Sequence, residues 1–117
     1  MPMIKTIANN VSTAATGVQG SPVALNTSPF LGGQAHEAIL NLTAVPAGVT
    51  AKLQGHNAAN GLGDAAPAAG DAGWYDVATL TSASLLKQEI ADLPAWIRTN
   101  ITAAAAGNLT VTLEGVQ

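Results

Sequence analysis

Polar and apolar residues alternate along most of this chain with a period of two, the repeat of a strand that buries one face. Over residues 38–45, Leu40, Leu42 and Ala44 fall on one face, with Asn41 and Thr43 on the other. Over residues 49–54, Val49, Ala51 and Leu53 turn inward against Thr50, Lys52 and Gln54. Pro46-Ala47-Gly48 separates the two runs. Proline fixes φ and glycine admits a positive φ, so the two runs are predicted to form a β-hairpin. The C-terminal third repeats the layout. Ile97, Thr99 and Ile101 share a face opposite Trp96, Arg98, Asn100 and Thr102, and Leu109, Val111 and Leu113 then point inward against Thr110, Thr112 and Glu114. The linking residues 103–107 hold four alanines that could start a helical turn, but Gly107 stops it far below the length an isolated helix needs.

Residues 74–81 read as another strand, rich in aromatic and β-branched side chains. Its inward face stays open between Trp74, Ala78 and Leu80 on one side and Tyr75, Val77 and Thr79 on the other. Residues 85–93 fit two patterns. Leu86, Ile90 and Leu93 have helical spacing, whereas Leu86, Gln88 and Ile90 suit a short strand. The strands around it favour a strand, and Asp92-Leu93-Pro94 ends it either way. The N-terminal part gives two looser strands, over 3–8 and 18–25, in an extended segment of about the first 20 residues. Residues 57–73 have one large apolar side chain, Leu62, and are predicted to be a long exposed Gly/Ala-rich loop. Seven to eight short strands with regular turn signals make a single all-β domain over residues 1–117, an antiparallel β-sandwich or jelly roll.

Composition narrows what such a domain can do. Charged residues are 9% of the chain, against roughly 25% in ordinary soluble domains. The surface is therefore built from Thr, Asn, Ser, Gly, Gln and Ala, which lose little desolvation energy on packing against another protein. Alanine supplies 24 of the apolar residues, so a lone copy has few large side chains to bury and gains from burial against neighbours. A net charge of −3 and four dispersed cations, Lys5, Lys52, Lys87 and Arg98, do not make the cluster that nucleic acid requires. No cysteine is present for a disulfide or a thiolate. No run is long and apolar enough for a membrane helix or a signal peptide, so synthesis in a cytoplasm is expected.

Candidate chemistry is thin. His36 and His56 lack further ligands at metal-binding spacing and read as loop or surface histidines. Asp64, Asp71 and Asp76 flank the long loop but do not match a calcium-loop pattern, and read as solvated carboxylates. No Gly-x-Ser-x-Gly elbow occurs. No catalytic residue, metal or cofactor is expected. Five Asn-x-Ser/Thr triplets, starting at Asn10, Asn26, Asn41, Asn100 and Asn108, read as coincidence, three of them simple strand alternation. Trp96 is the most informative residue. It falls on the face away from Ile97, beside Arg98, a pairing enriched at interface hot spots. Loop residues or the N-terminus could equally cover it. Trp74 and Tyr75 are further candidates for an interface or a sugar-stacking platform, and Ile4 and Ile7 are what the extended N-terminal segment would present to a partner.

Four segments carry a resemblance: Ala51-Lys52-Leu53-Gln54-Gly55-His56-Asn57; Gly73-Trp74-Tyr75-Asp76-Val77-Ala78-Thr79-Leu80; Leu93-Pro94-Ala95-Trp96-Ile97-Arg98-Thr99-Asn100-Ile101-Thr102; and Gly107-Asn108-Leu109-Thr110-Val111-Thr112-Leu113-Glu114-Gly115. Over about the last 70 residues the chain resembles small structural proteins of tailed bacteriophages. The loop 57–73 is longer than the short turn expected there. The resemblance implies a non-enzymatic decoration or cement protein on the virion's capsid surface, made in the host cytoplasm. It implies binding between capsomers to the major capsid protein, as a homo-oligomer, a trimer ahead of a dimer. A carbohydrate-binding or adhesin module, and a phage tail or connector protein, are the competing readings.

Overall fold

The computed structural model describes residues 3–25, 37–58, 65–84, 86–91 and 93–116. His36, Asp64, Leu62 and the triplet at Asn26 lie outside the described residues. Eight strands and no helix occur among the described residues: β1 (Met3–Ser12), β2 (Val23–Ala24), β3 (Glu37–Leu42), β4 (Thr50–His56), β5 (Tyr75–Leu80), β6 (Lys87–Ile90), β7 (Trp96–Ala103) and β8 (Asn108–Val116). They form two four-stranded antiparallel sheets, a front sheet ordered β1-β8-β3-β6 and a back sheet ordered β2-β7-β4-β5. The first strand pairs with the last, the second with the seventh, the third with the sixth and the fourth with the fifth. That nested pairing, a long hairpin rolled into two layers, is the topology of a jelly roll.

The period-two residues fill the space between the sheets. Leu40, Leu53, Leu80, Ile97, Ile101, Leu109, Val111 and Leu113 are all buried there, with Val49 and Ala51. Thr99 is buried with them, as the β7 alternation predicts.

Neither predicted hairpin forms. β3 lies in the front sheet and β4 in the back, and β7 and β8 are divided the same way. Each short Pro/Gly or Ala/Gly connection instead arches from one sheet to the other. The two arches lean on each other. Gly107 has φ 140° and lies so close to Pro46 that a Cβ there would collide with the proline ring. Thr13, fully buried after β1, fastens the second arch: its amide donates to the Gly107 carbonyl (3.0 Å), and its hydroxyl donates to the Ala105 carbonyl (2.9 Å). Crossing at the arch also shifts the pattern at its first end, so that Val45 is buried and Ala44 exposed, against the expectation.

Three other segments depart from strict alternation for identifiable reasons. In β5 the register breaks between Leu53 and Gln54 of β4, leaving Val77 as the extra residue of a bulge. Both proposed faces are therefore half right: Ala78 and Leu80 face inward, and Val77 also packs on the core. Residues 87–90 are a strand, with Ile90 buried, but Leu86 lies before it and is 55% exposed. The N-terminal segment is not a free arm. β1 runs the length of β8 with two register shifts, and Asn10 takes a positive φ of 53° while its amide donates to the Thr110 hydroxyl (2.8 Å). Residues 17–25 follow the edge of β7, with only Val23 and Ala24 in regular pairing.

Candidate functional site

Along β4, Lys52, Gln54 and His56 alternate with the buried Ala51, Leu53 and Gly55, so they project from the outer face of the back sheet. Arg98 and Trp96 of β7 pair with Gln54 and His56 respectively, and pairing places them on that same face. Trp74 comes to it from the residue before β5. The alternation therefore gathers one imidazole, one guanidinium and two indoles at one end of one sheet.

This end is closed by the second half of the long loop. Arg98 donates from Nε to Gln54 Oε1 (2.9 Å) and from a terminal nitrogen to the Ala69 carbonyl (3.0 Å). Its guanidinium carbon lies 4.0 Å from the centroid of the Trp74 ring, a cation–π stack. The Trp74 indole N–H donates to the Ala68 carbonyl (2.9 Å). Gln54 Nε2 in turn donates to Asp76 Oδ1 (3.1 Å), so the amide links the buried cation to a carboxylate. Burial lowers the Arg98 pKa from its usual range, since desolvation disfavours the charged form; a guanidinium stays protonated regardless.

His56 is the second anchor. The Ala58 amide donates to its Nδ1 (3.0 Å), so Nδ1 is the acceptor and Nε2 carries the proton that faces Asp71 Oδ1 (2.9 Å). Asp71 Oδ1 also accepts from the Gly73 amide (2.7 Å), closing an Asx turn. Gly73 is required there because a Cβ would strike the imidazole. The His56 hydrogen bond, then that of Gly73, lowers the Asp71 pKa below the ordinary carboxylate range. The Trp74 ring meets His56 edge-on at 5.1 Å between centroids.

The geometry therefore spends its polar atoms on holding residues 65–74 as a strap across the sheet. Both imidazole nitrogens are engaged by the chain itself, and Nε and a terminal nitrogen of Arg98 donate to neighbours within the fold. Such a cluster fixes a loop; it presents no free base beside a nucleophile. No group of three or more metal-ligating side chains occurs among the described residues.

The expected site residues divide three ways. Trp96, Arg98 and Trp74 do come to the same face, but Trp96 (6% exposed) and Arg98 (3% exposed) are both buried, Arg98 beneath Ala69 and Trp74, so the pair is not an exposed hot spot. Tyr75 is 41% exposed and pairs with Gly55, on the side opposite the outer face where Trp74 stacks on Arg98, so the two rings do not make one stacking platform. Ile7 belongs to the core, because the first bulge of β1 turns both Ile7 and Ala8 inward, whereas Ile4 is 50% exposed on the outer face of the front sheet. Reading His56 as a loop or surface residue is corrected by its burial at the end of β4. The sequence signals for this cluster were the period-two continuation of Lys52 and Gln54 to His56 and the Asp71-Ala72-Gly73 turn motif. Compared with family models, with curated proteins and with solved structures, the chain matches none.

Proposed function

We propose that this chain is a non-enzymatic structural protein that decorates a viral capsid, seated between capsomers as a homo-oligomer, and works by surface contact. The observation that supports this most is the strap. The one place where the fold gathers an imidazole, a guanidinium and two indoles uses them to fasten its own loop. What remains outside is a polar, charge-poor exterior on a rigid jelly roll, and a surface with little hydration to lose suits contact with a large flat partner. The fold by itself does not choose, because capsid and lectin domains share it. The opposed directions of Trp74 and Tyr75 weigh against sugar stacking.

The test is co-sedimentation with shells assembled from the virus's major capsid protein alone. Saturable binding at a fixed ratio to capsomers, with a raised melting temperature of the shell, is expected. Shells that stay bare, with the folded protein left in the supernatant at saturating concentration, contradict the proposal.

A further inference from the structure

We propose that the outer face of the front sheet is a two-fold contact between copies of this chain, in which Lys87 of each copy meets Glu89 of the other. Association by strand pairing at the sheet edges is disfavoured. Every sheet edge is blunted: β1 by two register shifts, β5 by a bulge, β2 by being two residues long, and β6 by being four residues long with Lys87 and Glu89 on it. Lys5 also pairs with the buried Leu113, so this cation turns toward the interior side of the β1 edge. Short, bulged edges with inward-facing charge do not template strand pairing. One end of the back sheet's outer face lies under the strap, whereas the front sheet's outer face exposes Ile4, Lys87 and Glu89.

Pairing fixes the pattern on that face. One row across the four strands reads Ile4, Glu114, Ile39, Glu89; the next reads Thr6, Thr112, Asn41, Lys87. Consider two copies laid face to face with their strands aligned. A two-fold axis lying along the first row would stack each carboxylate on its own copy. An axis parallel to the strands, between β8 and β3, would set Glu114 over Ile39. An axis across the strands, midway between the rows, sets Lys87 over Glu89 twice. It also sets Glu114 over the Thr112 hydroxyl and Ile39 over Asn41. The third arrangement alone pairs the charges, and it does so reciprocally, as an isologous contact must. With strands about 4.8 Å apart and residues about 3.4 Å apart, this face projects to roughly 19 by 20 Å, about half the area per partner of a standard stable interface. Association is accordingly weak and concentration-dependent.

This deepens the assembly half of the proposed function and is independent of its capsid half, since it is read on the isolated protein. Sedimentation velocity of the full chain, from about 10 μM to about 1 mM, tests it. The wild type should approach the mass of two chains at the upper end. Lys87→Glu and Glu89→Lys, each folded by circular dichroism, should lose association at least tenfold. Their equimolar mixture should regain it, because both cross-contacts are then oppositely charged. A wild type that is monomeric at the upper concentration overturns the contact. So do single variants that associate like wild type, a mixture that stays monomeric, or a three-chain species. Bare shells in the co-sedimentation assay would leave it standing.

Discussion

Arg98 shows how a single residue decides whether a loop is surface or structure. Its guanidinium is buried, and its planar fork reaches Gln54 and Ala69 while its face lies on Trp74. Arg98→Ala leaves the Gln54 oxygen and the Ala69 carbonyl without their donor, and hydrogen bonds to charged groups contribute about 1.5–3 kcal/mol. We expect a loss of about 2–3 kcal/mol in urea unfolding, with faster hydrogen exchange over residues 65–74. Arg98→Lys should recover less than half of this, because an ammonium can neither fork nor stack; full recovery would show that charge alone matters. Asp71 acts at the other anchor with a defined pH sense. Its folded pKa lies below its unfolded one, so what it adds is complete above about pH 4, the unfolded carboxylate range, and is lost as pH falls through the folded value. Tryptophan fluorescence should therefore report loosening of the strap in acid, and Asp71→Asn should remove that transition. From the sequence, Arg98 and Trp96 read as outward-facing, which is correct for the sheet. What covers Arg98 was not legible, because period-two alternation says nothing of a loop whose contacting residue, Ala69, lies 29 positions away.

At the scale of elements, alternation fixed which side chains meet the core in β3, β4, β7 and β8, because apolar residues hold every second position on the inward face of each. It could not fix partners. A Pro/Gly link suits a hairpin turn and a sheet-to-sheet arch equally, since both need a reversal and neither changes the parity of the strand that follows. The β5 ambiguity has a physical cause of the same kind: a bulge makes neighbours Val77 and Ala78 both pack on the core, so no single parity fits. The arches give a sharp expectation. Gly107→Ala combines an unfavourable φ with a Cβ driven into Pro46, and overpacking of this sort costs about 1–3 kcal/mol before the backbone strain is added. A drop in thermal midpoint at least as large as that for Leu53→Ala, whose cavity costs about 2–5 kcal/mol, is not required. A neutral Gly107→Ala, however, would mean that the arches do not lean on each other as described. Gly17→Ala is the control, having a positive φ but open space around it.

The whole molecule closes its first strand against its last, so almost nothing can be secured before distant segments meet. Folding should therefore take milliseconds to seconds, in the range of other non-local β topologies, and stopped-flow tryptophan fluorescence checks it; a sub-millisecond phase carrying all the amplitude would contradict the nested pairing. The all-β class was legible because period-two runs over most segments leave no stretch long enough for a helical core. The jelly-roll order was not legible, since it resides in pairings that no local pattern encodes. The proposed function rests on the outer surface. The most direct measurement is a cryo-EM reconstruction of shells of the major capsid protein saturated with the folded chain. The account predicts ordered copies of this jelly roll at fixed positions between capsomers, with the 65–74 strap still in place over Arg98. Shells with no ordered density at those positions, or density that requires the strap to be displaced, would contradict it.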